Sequence, residues 1–192
     1  MTEPQVTVIF NHGHDSGPDS PKIQTLQPIA EDRGCDCQAI DYRDLRDEPV
    51  ARAERLKRQL AAIDGSVVLV GSSMGGYVAM AAAEDQPVAG LFLIAPALFL
   101  EHRVAGGVTR ERYQPRCDHV ALIHGWRDEI IPWQNSMQFA SEARAALHLL
   151  DADHRLQDKL NLIGSVFAAF LRAGAIGHEP EPGFAAATTR HA

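Results

Sequence analysis

Six short apolar runs recur along the chain and alternate with longer stretches in which apolar residues return every three or four positions. The runs predict strands at Val6–Phe10, Cys35–Ile40, Ser66–Val70, Gly90–Ala95, Val120–His124 and Leu147–Leu150. Several of them are apolar at almost every position, which is typical of strands that helices cover on both faces. The pattern therefore predicts an α/β fold whose central, mostly parallel sheet has about six strands.

The stretches between these runs have helical periodicity. They predict helices at Ile23–Arg33, Val50–Ile63, Gly75–Glu84, Asn135–Ala145 and Leu156–Leu171. Residues 173–192 lose this periodicity and gain Gly, Pro and Ala, so we expect one domain over residues 1–172 followed by a flexible C-terminal tail. The connection over residues 96–119 is longer than usual and predicts a short, cap-like segment over a site.

Composition and charge narrow the function classes. The 192 residues are 45% hydrophobic and 22% charged, as in a soluble domain, and the formal net charge of −7 argues against a nucleic-acid partner. The basic residues Arg52, Arg55, Lys57 and Arg58 stand at helical spacing and predict a solvated helix face instead of a binding patch. No signal peptide or membrane span is recognisable, so we expect a cytoplasmic protein.

Cysteine and histidine patterns predict neither disulfides nor metal. Cys35 and Cys37 are too close along a strand for a usual disulfide or zinc pair, which favours reduced thiols. His12, His14 and His124 lie at strand ends, but their spacing lacks the arrangement of known metal motifs. We expect no metal or cofactor, and we interpret His12 and His124 as residues that brace turns through hydrogen bonds.

The stretch GSSMGG at residues 71–76 joins the third predicted strand to a helix of small residues. A G-x-S-x-G sequence at such a junction is typical of a nucleophile elbow, with Ser73 at its tip and Ser72 as an inactive neighbour. A phosphate-binding turn is the alternative, but the G-x-G-x-x-G spacing and a P-loop lysine are absent. The pattern predicts Ser73 as a nucleophile and the Met74 amide as an oxyanion donor.

A serine nucleophile needs a histidine base and a carboxylate that orients it. Asp128 follows the fifth predicted strand and His154 follows the sixth, so both are expected at the same edge of the sheet as Ser73. Asp151 and Asp153 flank the histidine and are alternative acids. Asp128 is favoured because it occupies the loop that carries the acid when the chain order is Ser, Asp, His.

Four motifs in this order, NHGHDSG, GSSMGGYVAM, HGWRDEIIP and DADHRL, resemble the α/β-hydrolase superfamily. Up to about Leu171 the chain is most similar to compact esterases and thioesterases with a minimal cap, of the YqiA-like and retinoblastoma-binding-protein-like kind. The resemblance implies a second oxyanion donor, the backbone amide of His14 after the His12-Gly13 turn. It also implies that the first two strands of the family's sheet are missing here.

The expected function is that of a serine hydrolase that cleaves carboxylic esters or thioesters through an acyl-enzyme. Ser73 attacks the carbonyl, His154 accepts the proton and Asp128 holds the imidazole. The alternative is a non-catalytic ligand-binding or protein-interaction module on the same fold. The expected partner is a small ester or thioester, while the acyl group, the alcohol and the oligomeric state are not specified by the sequence.

Residues 96–119 supply the candidate substrate contacts. Phe99 and Leu100 are predicted to offer an apolar wall to an acyl chain. Arg103, together with Arg110 and Arg112, is predicted either to meet an anionic part of a substrate such as an acyl-CoA or to be solvated on a mobile loop.

Overall fold

The fold, in a computed structural model that describes residues 5–100 and 111–175, is built on one six-stranded sheet. The strands lie in the order β2-β1-β3-β4-β5-β6, and every neighbouring pair is parallel. Their bounds are β1 Val6–Asn11, β2 Asp36–Ile40, β3 Ser66–Ser72, β4 Gly90–Ile94, β5 Val120–Gly125 and β6 Ala146–Leu150.

In the described part of the chain, four α-helices connect strands and a fifth follows β6. They are α1 Pro21–Glu31, α2 Pro49–Leu60, α3 Met74–Asp85, α4 Trp133–Ala143 and α5 Leu160–Phe170. Short 3₁₀ turns occur at Arg43–Leu45 and Gln157–Lys159, and a π-helical turn follows α5 at Leu171–Ala175. Helical structure thus continues three residues into the predicted tail, and residues 176–192 lie outside the described residues.

Alternating strand residues pack against two helical layers. Along β3, Val68 and Val70 belong to the core under α1 and α5, whereas Val67 and Leu69 belong to the core under α2, α3 and α4. Apolar residues are therefore needed at consecutive strand positions, which explains the continuous apolar runs. The predicted fold class, a parallel sheet with helices on both faces, is confirmed.

The first four helices begin one or two residues earlier than the periodicity predicts. Two of them start with a proline, Pro21 in α1 and Pro49 in α2, because proline suits the first helical position, where no intrahelical N–H bond is lost. The last helix begins four residues later than predicted, at Leu160. Before it, Leu156 has a φ of 52° and interrupts the helical path.

Arg52 is fully buried, and its assignment to a solvated face was wrong. It lies on the apolar face of α2 with Ala53 and Leu56, and its guanidinium lies over the Tyr42 ring, 5.3 Å from the centroid. Its charge is accommodated by backbone carbonyls, to which it donates hydrogen bonds. Arg58 on the opposite face is exposed, as predicted.

The structure also bears on the predictions about the cysteines, membrane spans and the cap-like segment. The thiols of Cys35, Cys37 and Cys117 are unpaired. No helix within residues 5–100 and 111–175 is both long and apolar enough to cross a membrane. The predicted cap-like segment is described only at its two ends, because residues 101–110 lie outside the described residues.

Candidate active site

The junction between β3 and α3 is a single residue, Ser73, whose backbone has φ 55° and ψ −120°. A positive φ is uncommon outside glycine, so the surroundings must hold this conformation. The Ser73 amide donates to the Ile94 carbonyl (2.9 Å), and its carbonyl accepts from the amides of Gly76 (2.9 Å) and Ala97 (3.0 Å). Hydrogen bonds on both sides thus fix Ser73 in the sharp turn typical of a nucleophile elbow.

The glycines of the motif are required by close backbone contacts. A Cβ atom on Gly75 would lie 2.0 Å from the Asn11 carbonyl oxygen, and one on Gly71 would lie 2.4 Å from the Gly75 carbonyl oxygen. Since both distances are far below van der Waals contact, neither position accepts a side chain without movement of the backbone. The glycines let β1, β3 and α3 approach closely enough to form the turn.

Ser73, His154 and Asp128 are joined by an unbroken chain of hydrogen bonds. His154 Nε2 lies 3.1 Å from Ser73 Oγ, and His154 Nδ1 lies 2.7 Å from Asp128 Oδ2. The three residues follow β3, β6 and β5, so neighbouring carboxyl ends of one sheet bring them together. Ser72 is the last residue of β3, and the imidazole contacts Ser73 instead.

The acids that flank His154 are engaged elsewhere. Asp151 is 81% exposed and pairs with an arginine of the preceding loop at 2.8 Å. Asp153 accepts hydrogen bonds at Oδ1 from two backbone amides of the turn that follows His154. The acid beside the imidazole is therefore Asp128, the residue that chain order favours.

Asp128 is fully buried and both of its oxygen atoms accept hydrogen bonds. Oδ1 accepts from the amides of Ile130 (2.9 Å) and Ile131 (2.8 Å), and Oδ2 accepts from His154 and from His124 Nε2 (2.9 Å). Burial by itself raises the pKa of Asp128, but the bonds from His124, His154 and Ile131 outweigh it and hold that pKa well below its usual range. The carboxylate stays ionised and keeps a proton on His154 Nδ1.

The loops that carry Asp128 and His154 are packed against each other. A Cβ atom on Gly125 would lie 2.4 Å from the Ala152 carbonyl oxygen, and the Arg127 amide donates to that oxygen at 3.0 Å. The pairing of β5 with β6 thus continues beyond the strand ends. This continuation sets the distance between the carboxylate and the imidazole.

The turn at residues 12–14 lies against the elbow. A Cβ atom on Gly13 would lie 3.4 Å from Ser73 Cβ. The Gly13 carbonyl accepts from His12 Nδ1 (2.7 Å) and from the buried Arg52 guanidinium (3.3 Å). The His14 amide makes no hydrogen bond to another described residue, and His14 lines the same cavity as Ser73.

His12 and His124 both brace turns through hydrogen bonds, as predicted. His12 Nε2 accepts from the Tyr42 amide at 3.0 Å. Burial and the nearby Arg52 charge lower the pKa of His12, against the bond to Gly13 that raises it. His124 Nε2 faces the carboxylate of Asp128 and a backbone carbonyl, so it is the donor to both.

A cavity of about 560 Å³ opens beside Ser73. Its wall includes Met74, the predicted oxyanion donor, and Leu100, one of the predicted acyl-chain contacts. The amide of Met74 is the first of α3 and therefore has no intrahelical acceptor. These placements bring both residues to the cavity beside Ser73.

The other predicted substrate contacts are not brought to this cavity. Phe99 lines an adjoining depression that shares Leu100 with the cavity, and its ring packs edge-on against Tyr113 with 4.9 Å between centroids. Arg112 is exposed. Arg103 and Arg110 lie outside the described residues, so their predicted roles stay predictions.

Sequence reasoning missed three cations around the site. Lys22, in the first turn of α1, and Arg155, directly after His154, both line the cavity. Arg52 holds the turn at residues 12–14 from beneath. The helical spacing of Arg52 with the apolar residues of α2 could have indicated that it is buried. Nothing in the sequence pattern indicates that Lys22 reaches the site.

Residues 5–100 and 111–175 contain no group of three or more His, Cys, Asp or Glu side chains that could hold a metal ion. Ser73, His154, Asp128 and His124 are instead hydrogen-bonded to one another. Chemically, this arrangement can transfer a proton between the Ser73 hydroxyl and the His154 imidazole.

The parallel sheet, the strand-to-helix elbow and the order of the candidate residues place the chain among the α/β hydrolases, and the predicted superfamily is confirmed. A family model, the uncharacterised protein family UPF0227, matches residues 7–121. Because that match covers more than half of the sequence, the chain belongs to this family. A comparison with curated proteins found no match.

Solved structures share the fold. A crystal structure of a candidate α/β-superfamily hydrolase from Xanthomonas campestris is 29% identical, with a TM-score of 0.74 over 87% of this chain and 98% of that one. A candidate hydrolase from Agrobacterium vitis is 21% identical, with a TM-score of 0.70 over 86% and 88%. An α/β serine hydrolase homologue from Coxiella burnetii is 19% identical, with a TM-score of 0.70 over 87% and 85%.

Proposed function

We propose that the protein is a serine hydrolase that cleaves carboxylic esters or thioesters through an acyl-enzyme. The observation that carries this proposal is the chain of hydrogen bonds from Ser73 Oγ through His154 to Asp128, beside an open cavity. A serine hydroxyl is a weak nucleophile at neutral pH, and a base within hydrogen-bond reach is what activates it. The distances of 3.1 Å and 2.7 Å meet that requirement.

The reaction proceeds in two halves. Ser73 Oγ attacks the carbonyl carbon while His154 Nε2 takes the hydroxyl proton, and the imidazolium then gives this proton to the leaving oxygen or sulfur. Water enters after the leaving group departs. His154 deprotonates the water, which attacks the acyl-enzyme and releases the carboxylic acid with Ser73 restored.

The developing oxyanion needs donors that are in place before the reaction. The amides of Met74 and His14 are assigned this role, since both residues line the cavity. Met74 follows the nucleophile at a helix start, where amides have no intrahelical acceptor. The buried Arg52 holds the carbonyls of the turn before His14, so that turn is rigid before substrate binds.

The competing function is a binding module that keeps the fold without turnover. Such a module has no physical need for the strained φ of 55° at Ser73 or for a buried carboxylate behind the imidazole. The strained backbone costs stability and is useful only if the hydroxyl reacts, and the carboxylate holds the imidazole in the tautomer that accepts the serine proton. The hydrolase is therefore the favoured of the two.

Trapping of the acyl-enzyme tests the proposal. We expect p-nitrophenyl butyrate to give a burst of p-nitrophenolate equal to one equivalent of enzyme, and mass spectrometry to find a butyryl group on the peptide that contains Ser73. Ser73→Ala is the matched control. An unmodified protein, with no turnover of oxygen esters or acyl thioesters, would favour the binding module.

A further inference from the structure

Lys22 is a partly buried cation in the wall of the cavity beside the nucleophile. Among the described residues, no carboxylate lies within ion-pair distance of it, and it makes no hydrogen bond through its ammonium group. Burial lowers the pKa of Lys22, which is the expected response of a cation without a close counter-ion.

Arg155 lines the same cavity and, in the part of the chain that the structure describes, also has no ion-pair partner. The two side chains are close enough that the charge of Arg155 disfavours the charge of Lys22. Asp153 and Asp128 attract Lys22 only from beyond ion-pair distance. Asp128 stays ionised, but its oxygen atoms accept from His124, His154 and backbone amides, and Asp153 accepts from backbone amides.

Lys22 differs from other described cations without an ion pair, such as Arg58 and Arg144, because those two are exposed and do not line the cavity. Six surface cations are ion-paired, namely Arg43, Arg46, Arg55, Lys57, Arg127 and Lys159. The chain has 25 acidic and 18 basic residues, so carboxylates to pair with are abundant. Two neighbouring cations without a counter-ion in the wall of a cavity are a binding arrangement for an anion.

The position of these cations indicates which part of a substrate carries the negative charge. Arg155 is the next residue after His154, and Lys22 is coupled electrostatically to it. The leaving group must reach His154 to receive its proton, so it passes on this side of Ser73. The apolar residues Ala97 and Leu100 also line the cavity and suit an acyl chain.

We propose that Lys22 and Arg155 form an anion-binding wall that selects esters and thioesters whose leaving group carries a carboxylate or a phosphate. The inference rests on the proposed function, which it deepens by naming the substrate class. It assigns the selection to a residue of α1 and a residue of the last motif instead of the arginines at residues 103–112. One charged hydrogen bond is worth about a ten- to hundredfold change in affinity.

Three butyryl or related esters of similar size test the wall. p-Nitrophenyl butyrate is neutral, 3-butanoyloxy-4-nitrobenzoate has a carboxylate on the leaving group, and mono-p-nitrophenyl glutarate has a carboxylate on the acyl group. For Lys22→Met, which keeps the length of the side chain, we expect kcat/KM for the nitrobenzoate relative to the neutral ester to fall at least about tenfold, through KM. Lys22→Arg should restore most of that preference.

Arg58→Met is the matched control, because it removes one exposed cation from α2 at a position that does not line the cavity. For this variant, the ratio of kcat/KM for the nitrobenzoate to kcat/KM for the neutral ester should stay within about twofold of the wild-type ratio. Circular dichroism and thermal melting verify that each variant is folded. Equal losses on all three esters, no loss on any, or a loss confined to the glutarate ester would overturn the proposal.

A binding measurement separates this proposal from the proposed function. Ser73→Ala, which lacks the nucleophile, should bind 3-butanoyloxy-4-nitrobenzoate at least about tenfold more tightly than p-nitrophenyl butyrate, and adding Lys22→Met should remove the difference. If the wild type hydrolyses no ester while this preference remains, the hydrolase proposal fails and the anion wall stands. If esters are hydrolysed but the preference is absent, the wall alone fails.

Discussion

Two serine–histidine pairs share one carboxylate in this molecule. Ser73 with His154 forms one pair, Ser136 with His124 forms the other, and both imidazoles donate to Oδ2 of Asp128. Hydrogen-bond length does not separate them, because His124 Nδ1 lies 2.7 Å from Ser136 Oγ, whereas the distance in the first pair is 3.1 Å. A serine hydroxyl and an imidazole therefore occur twice around the single carboxylate of Asp128.

Access and backbone conformation separate the two pairs. Ser136 and His124 are both 0% exposed, and Ser136 lies inside α4. Ser73 lies in a strained turn at the start of α3, and its histidine is 17% exposed at the cavity. A hydrogen-bonded serine, histidine and aspartate therefore form a candidate catalytic site only where a carbonyl group can reach the hydroxyl.

The largest expected effect on activity is the difference between replacing Ser73 and replacing Ser136. Ser73→Ala should lower kcat/KM for p-nitrophenyl butyrate at least about a thousandfold, since the nucleophile is lost while the fold is kept. Ser136→Ala removes a buried hydrogen bond of about 1 kcal/mol and should leave turnover within about threefold. Steady-state kinetics on both purified variants measures this difference. Equal losses of kcat/KM in the two variants would contradict the distinction between the two serines.

The shared carboxylate should matter nearly as much. Asp128→Asn presents an amide N–H or carbonyl where both histidines need an ionised acceptor, so we expect kcat to fall at least about a hundredfold. Asp151→Asn and Asp153→Asn are controls, since neither acid contacts the imidazole of His154, and should cost about threefold or less. If Asp151→Asn or Asp153→Asn lowered kcat more than Asp128→Asn, the acid that orients His154 would be one of these neighbours.

The second histidine should have a smaller effect on rate. His124→Asn removes one donor to Asp128 Oδ2 and leaves the contact with His154 in place, so kcat should fall by about tenfold. The free energy of unfolding should fall by about 1 to 3 kcal/mol, because buried partners lose their hydrogen bonds. A loss of activity as large as that of Ser73→Ala would contradict a supporting role.

The shared carboxylate also predicts an acid dependence of stability. Its folded-state pKa is depressed, so the stability it contributes is present above the unfolded-state pKa of about 3.9 and is lost as pH falls through the folded-state pKa. Between about pH 5 and about pH 3, urea unfolding should show a steeper loss of stability for the wild type than for Asp128→Asn. Parallel curves would show that the carboxylate gains nothing from its two histidines.

Sequence patterns predicted the sheet and the exposed pair because both leave local signals. Continuous apolar runs follow from burial on both faces, and Gly71 and Gly75 mark a backbone contact that no side chain fits. The order of Ser73, Asp128 and His154 places three loops at one edge of a parallel sheet.

The buried pair and the cations around the site could not be predicted in the same way. Ser136 is one polar residue in an amphipathic helix, and only the packing of α4 on β5 brings it to His124. Lys22 is eleven residues beyond β1, at a helix start that resembles an exposed turn in sequence. Such contacts depend on packing across the fold, for which a single sequence has no periodic signal.

Site-mapped labelling with a fluorophosphonate probe tests most directly whether the exposed pair is the reactive one. The reagent phosphonylates a serine only when a neighbouring base activates the hydroxyl and the reagent can reach it. We expect one equivalent of label on the peptide that contains Ser73, complete loss of labelling in Ser73→Ala and unchanged labelling in Ser136→Ala. A folded wild-type protein that takes no label, or label that persists in Ser73→Ala, would contradict the assignment of Ser73 as the nucleophile.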